Sequence, residues 1–261
     1  MTCTTKSVFI IGDLSVMCNY LPIYAVQEKP DGRGNRIDKR KKKCYSLIIR
    51  VRIAFQENIM TEKDTQAKLI ESATSLFAQR GYAAVSIREL ADAAQVNSAL
   101  ISYHFGSKEG LYLAVLENQF RPITGLLQQA AQTTMSPEER IVYYAKGVYD
   151  IHKSRPFLIR FLHSELTNPT TGLDSVVKRY IGQIYPFLYQ AFAEGVASRQ
   201  FNAALNPGYA VLSLVGIMNF YFIAKPIARE FLTVDNEHDK NYLLQAVQIY
   251  LHGIKDNNYN S

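Results

Sequence analysis

From Met60 onward the apolar residues return every three or four positions, and no run of β-branched residues alternates as a half-buried strand would. That single period predicts an all-α chain. A first helix is expected from about Asp64 to Arg80, with Leu69, Ile70, Ala73, Leu76 and Phe77 on one stripe and Gly81 ending it. Ser86-Ile87-Arg88-Glu89 reads as a capping box that opens a short second helix, in which Ile87, Leu90, Ala91 and Ala94 share a face. A short third helix is expected from near Asn97 to Phe105-Gly106. Ser107 then caps a long helix through about Gln132. Breaks at Ser136-Pro137, Ser154-Arg155-Pro156, Asn168-Pro169, Asn206-Pro207 and Asp235-Asn236 divide the remainder into five more helices. With 261 residues, 48% of them hydrophobic, the chain has enough apolar material for a substantial core.

The two short helices carry the most information. They are separated by about four residues, with small Ala91 and Ala94 where they would cross and Val96 at the corner, which is a helix-turn-helix pattern. Helices of two turns do not persist alone, so these must pack on the first helix and present the third to something outside. Ile101 and Phe105 supply the core side of that third helix. Its other residues offer hydroxyls, an amide, an imidazole and a small apolar patch, a set suited to base edges and thymine methyls in a major groove. An ordinary solvated surface has the same polarity, so the pattern alone leaves both readings open.

The wider string from Ala67 to Leu116 is more specific. It holds Ala73, Leu76-Phe77, Gly81-Tyr82, Ser86 through Ala91, Val96-Asn97, Tyr103-His104-Phe105, Ser107-Lys108-Glu109 and Leu111-Tyr112 at fixed spacing. In these residues the chain resembles the DNA-binding domain of the TetR family of transcriptional regulators. The resemblance implies a helix-turn-helix domain over 60–109 and a larger helical effector-binding and dimerisation domain over 110–261. It implies that Ser86 and Arg88 approach the DNA backbone and a groove edge, and that Asn97, Ser98, Ala99, Leu100, Ser102, Tyr103 and His104 line the reading helix. Lys108 would meet a phosphate. Three positions depart from the family pattern: Gln95 stands where a turn glycine is usual, Asn97 replaces the usual Ser or Thr cap, and Ser102 replaces a frequent Tyr. Gln95 would be strained if the turn needs a positive φ. Bulk charge adds nothing, because residues 60–109 hold five Lys or Arg against six Asp or Glu.

Residues 1–59 have a different character. They hold 11 Lys or Arg against 5 Asp or Glu, together with Cys3, Cys18 and Cys44, whereas the residues from Met60 on hold 18 of each charge and no Cys. They show no sustained period and contain Arg36 and the run Lys39 to Lys43. We read them as a disordered basic extension or as upstream sequence translated ahead of a start at Met60, since the 202 residues from Met60 match a whole family member in length. The alternative is a basic arm that binds phosphates. Val8 to Val26 is interrupted by Asp13, Asn19 and Pro22 and makes a poor signal peptide. Gly208 to Ala224 runs 17 residues without a charge, and we expect it to be buried at a subunit interface rather than in a membrane. A cytoplasmic protein at the nucleoid is the corresponding expectation.

Residues 110–261 contain 12 Tyr and 9 Phe. Most should be core. Some could line an apolar ligand pocket, and the candidates are Tyr143, Tyr144, His152, Phe161, Glu165, Tyr185 and Tyr189, with Arg160 and His163 as further polar groups. A looser similarity to the CecR-type branch, through Arg155 to Leu158, Glu165 to Thr170, Phe220-Tyr221 and Lys225-Pro226, suggests a drug or xenobiotic response. The family pattern makes Pro207 to Phe231 and His238 to Lys255 the homodimer surface, where Gly208, Ser213 and Gly216 allow close helix approach. No metal, cofactor or catalytic site is expected: no HxxxH or HExxH occurs, no glycine-rich phosphate loop opens a helix, and no Cys is left to act as a nucleophile. The reading is thus a regulator, a repressor released from a palindromic double-stranded DNA operator by a small-molecule effector. The alternatives are an all-α carrier or enzyme without specific DNA binding, or a membrane protein anchored through Gly208 to Ala224.

Overall fold

The computed structural model describes residues 61–231 and 238–256, so the basic extension and the break at Asp235-Asn236 lie outside the described residues. Helix α1 is already helical at 61, three residues before the expected start, and runs to 80. Leu69, Ala73 and Phe77 are buried along its inner stripe. Gly81 ends it at φ 81°, with its N–H donating to the Phe77 carbonyl at 2.9 Å.

Helix α2 (Ile87–Ala94) opens with the expected capping box, in which the Ser86 hydroxyl accepts from the Glu89 N–H and the Glu89 carboxylate accepts from the Ser86 N–H. The same carboxylate takes a 2.7 Å bond from the Arg80 guanidinium, which ties the end of α1 to the start of α2. The Ser86 backbone N–H, then Arg80 and the Ser86 hydroxyl, hold the Glu89 carboxyl down at about 2. Ile87 departs from expectation: it is 39% exposed, while Leu90, Ala91 and Ala94 alone carry the inner face. Gln95 does sit at φ 56°, so a side chain occupies a left-handed position.

Helix α3 (Ala99–Phe105) begins two residues later than expected because the Asn97 side chain accepts the Ala99 N–H at 2.8 Å and acts as a cap outside the helix. After Gly106 at φ 76°, Ser107 caps α4 (Lys108–Ala130). Gly110 is needed there, since a Cβ at that position would lie 1.9 Å from the Phe105 carbonyl oxygen. Helices α5 (Pro137–Ser154), with a second capping box at Ser136 and Glu139, and α6 (Leu158–Thr167) follow. A π turn (Leu173–Val177) runs into α7 (Lys178–Ala197), and α8 (Pro207–Phe231) and α9 (His238–Ile254) complete the described residues, which contain no strand.

Two apolar cores organise these helices. The first runs without interruption from Leu69, Phe77 and Leu90 through Leu111, Tyr112, Val115 and Phe120 of α4 to Phe161 and Tyr180, so it crosses the expected 109/110 boundary. The second joins α5, α7, α8 and α9 around Phe192, Phe201 and Leu214. Helix α8 is long and apolar enough to cross a membrane, yet only 28% of its most apolar window is buried in the single chain. Tyr209, Leu212, Phe220, Ile227 and Phe231 stand exposed on it, leaving an apolar face without a cover in one copy.

The left-handed Gln95 gives a simple test. Gln95→Gly should stabilise the protein by about 1 kcal/mol and Gln95→Ala should not, as read from urea unfolding midpoints.

Candidate functional site

The outer surface of α2 and α3 carries most of the expected contact residues. The Arg88 side chain is 91% exposed and only loosely paired with Asp92, at 3.9 Å. Ser98, Ala99 and Ser102 are exposed on α3, and Tyr103 is 70% exposed. Arg88 and Ser98 also share the rim of a shallow groove between the two helices, floored by Ala91 and Val96. These five residues form one accessible face that mixes a guanidinium, hydroxyls and a methyl.

The other five expected contacts, two of them exposed and three half-buried, each have a neighbour within the fold. The Ser86 hydroxyl is held by Glu89 and the Asn97 amide caps α3. Leu100 is half-buried against the core, because it follows the apolar stripe that Ile101 anchors. His104 is half-buried, with Nδ1 3.3 Å from the Gln66 amide. The Lys108 ammonium lies 4.4 Å from the centre of the Tyr82 ring, and desolvation there lowers its pKa below the usual lysine value. Two residues that the sequence reading missed join this surface from α1: Gln66, and Glu62, which accepts the Tyr103 hydroxyl at 3.1 Å. The bond to Glu62 and its charge raise the Tyr103 pKa. A contact 41 positions apart leaves no periodic trace in a sequence.

Behind this face sits a buried polar joint. Glu165 is fully buried and accepts the Tyr112 hydroxyl at 2.6 Å, the Thr170 hydroxyl at 2.9 Å and the Thr170 N–H at 3.1 Å. Burial, then Glu165, pushes the Tyr112 phenol well above its usual range. Tyr112 in turn packs its ring 5.1 Å from Phe77 and 4.8 Å from Tyr82. Glu165 is therefore a structural partner of α4, and Phe161 belongs to the first core; neither is in the lining of the apolar cavity of the C-terminal helices.

The apolar cavity of the C-terminal helices encloses about 300 Å³ between α4, α5, α6, α7 and α8. Of the expected pocket residues, Tyr144, His152 and Tyr185 line it. Tyr143 points its hydroxyl to the Leu126 carbonyl at 3.3 Å instead, and Tyr189 stacks on Tyr185 at 5.7 Å without joining the lining. Arg160 and His163 line a separate, polar groove with Lys225 and Arg229. Residues the sequence did not single out, including Phe120, Tyr180 and Asn219, complete the cavity. Burial drives the His152 pKa down to about 4, a fall only partly offset by the Asn219 hydrogen bond and by Asp239, so the imidazole is neutral at pH 7.

This shift fixes a pH dependence. Because the folded pKa is below the unfolded one, the unfolded chain takes up the proton first as pH falls, and stability drops between about pH 6.5 and 4. The loss should reach about 3 kcal/mol, and His152→Leu should remove that portion of the slope in urea unfolding followed against pH.

Comparison with known proteins follows this geometry. Residues 69–115 match the model for bacterial regulatory proteins of the tetR family. The chain is 25% identical over 194 residues to the probable HTH-type transcriptional regulator YttP of Bacillus subtilis, covering 73% of this chain and 93% of that protein. It is 30% identical over 114 residues to the HTH-type transcriptional activator FasR of Mycolicibacterium smegmatis, covering 43% of this chain and about half, 52%, of FasR. Among solved structures, the ketosteroid transcriptional regulator KstR2 of Mycobacterium tuberculosis superposes with a TM-score of 0.61 at 18% identity, covering 73% of this chain and 94% of that one.

Proposed function

We propose that this chain is a DNA-binding transcriptional regulator of the TetR family and not an enzyme, a repressor that a small molecule releases from a palindromic operator. The observation that carries the proposal is the single exposed face of Arg88, Ser98, Ala99, Ser102 and Tyr103 on two short helices locked by a capping box. Arg88 can fork onto a guanine or a phosphate, the α3 hydroxyls can meet base edges, and the Ala99 methyl fits a thymine methyl. Tyr103 joins them when DNA draws its hydroxyl away from Glu62. The half-buried Lys108 and His104 contribute as second-rank contacts at the edge of the face.

We assign 60–109 to DNA reading and 110–261 to effector binding and dimerisation, with α4 shared between them. A homodimer forms through α8 and α9, whose uncovered apolar residues, Tyr209, Leu212, Phe220 and Ile249 among them, are what a second copy would bury. The two reading helices then address successive major grooves about 34–36 Å apart. Tyr144, His152 and Tyr185 line the effector site, and effector and DNA oppose each other by linkage, each favouring a different spacing of the reading helices. The place of action is the cytoplasm, at the nucleoid. Repression is the expected sign because a dimer seated on a promoter excludes polymerase; the name of FasR shows that a relative can act the other way.

Fluorescence anisotropy with DNA from upstream of the protein's own gene tests this reading, using the full chain beside a form begun at Met60. Binding should be sequence-selective and should fall steeply with salt. Arg88→Ala should weaken it by about 5- to 100-fold, and Tyr103→Ala should weaken it as well. Equal binding to scrambled DNA by both forms would sink the operator reading, and a reporter that falls when the protein is deleted would make it an activator.

A further inference from the structure

The cavity has an unusual chemistry for its size. No Asp, Glu, Lys or Arg lines it, and its polar side chains are His152, Asn219 and three tyrosines. Most of these are already occupied. Tyr180 donates to Glu117 at 3.1 Å, Tyr185 lies half-exposed and stacked on Tyr189, and His152 is bonded to Asn219 and stacked on Phe222 with ring centres 3.7 Å apart. The nearby Lys225 and Asp239 neutralise each other in an ion pair.

Tyr144 is the exception. It is 5% exposed, burial pushes its pKa up, and no described residue bonds its hydroxyl, whose oxygen is not among the fully enclosed unpartnered atoms. A phenol without a protein acceptor, on a residue that lines an apolar cavity, calls for an acceptor from outside the chain. A lone water answers poorly, since it needs two to four polar partners and the wall around Tyr144 is apolar. A ligand oxygen answers well. An ion does not, because nothing in the lining compensates its lost hydration.

Length follows from α5. Tyr144, Val148, Ile151 and His152 line the cavity on successive turns of that helix, and eight residues of helix span about 12 Å. The exposed apolar side chains of Leu166, Ile181, Tyr185 and Leu212 form the rim.

We propose that the cavity takes an uncharged, elongated apolar molecule whose one essential polar atom is a hydrogen-bond acceptor for the Tyr144 hydroxyl, and that it turns away carboxylate and ammonium forms of the same skeleton. The inference rests on reading this cavity as the effector site and adds the class of effector. It also assigns Tyr144 as the residue that selects it.

The test is titration calorimetry of the full chain at pH 7.5 with three probes of one length: 2-decanone, decanoate and decylammonium, each kept below micelle formation. The ketone should bind saturably, and the two ions at least about 30-fold more weakly. Tyr144→Phe should weaken the ketone about 3- to 10-fold, the worth of one hydrogen bond, with its circular dichroism unchanged. Val148→Trp, which fills the cavity while keeping Tyr144, should abolish ketone binding. Decanoate binding as tightly as the ketone, unchanged ketone affinity in Tyr144→Phe, or no binding of any probe would each overturn the proposal. Operator binding is measured on the same samples. Intact DNA binding without ligand selectivity overturns this inference alone, while selectivity without DNA binding overturns the regulator reading alone.

Discussion

The bond from the Tyr112 hydroxyl to buried Glu165 is the point on which the arrangement turns. On one side, the Tyr112 ring packs against Phe77 and Tyr82, the residues that close α1 and its turn. On the other, the carboxyl group holds Thr170 by hydroxyl and N–H and so fixes the chain between α6 and the π turn. Burying a carboxyl is tolerable only because its oxygens are satisfied this way. Since the phenol and the carboxyl depend on each other, the DNA-reading helices and the C-terminal bundle cannot separate without exposing both to an apolar core. A continuous first core built around α4 gives the same message in apolar terms.

Features that depend on neighbours in sequence were legible, and features that depend on distant neighbours were not. The capping box at Ser86, the glycine stop at 81 and the turn that places Gln95 follow from residues within a turn or two of one another. The helix-turn-helix could be read for the same reason. What escaped was the fate of particular side chains on its surface. Lys108 folds over Tyr82, His104 meets Gln66, and Tyr103 reaches Glu62, all through packing of α1 on α3 and α4. The pocket shows a sharper form of the problem. Tyr143 and Tyr144 are adjacent, yet about 100° of helix rotation sends one hydroxyl to the Leu126 carbonyl and the other side chain to the cavity wall. Composition identified an aromatic bundle but could not choose between such neighbours.

Helix α8 illustrates the same limit from the outside. The uncharged stretch from Gly208 to Ala224 was plain in the sequence, and three environments would accept it: a membrane, a core, or a second copy of the chain. The fold places Leu214, Met218 and Tyr221 inside the second core and leaves Tyr209, Leu212, Phe220 and Ile227 uncovered on the opposite side. One face of the helix is thus packed and the opposite one is bare. Leu212 also stands at the rim of the cavity, so whatever covers this helix also borders the entrance to the apolar site.

The turn around Gly110 has mechanical meaning. With the Phe105 carbonyl so close that no side chain fits at Gly110, α3 and α4 meet in a tight turn. Helix α4 has 23 residues, a lever about 35 Å long, and its far half walls the cavity through Phe120, Ile123 and Leu126. A tilt of about 5° shifts one end of such a lever by about 3 Å relative to the other. That is close to the rise of one base pair, about 3.4 Å. On the proposed effector reading, an occupant that tilts the cavity end by this amount would put the other end out of step with the DNA ladder.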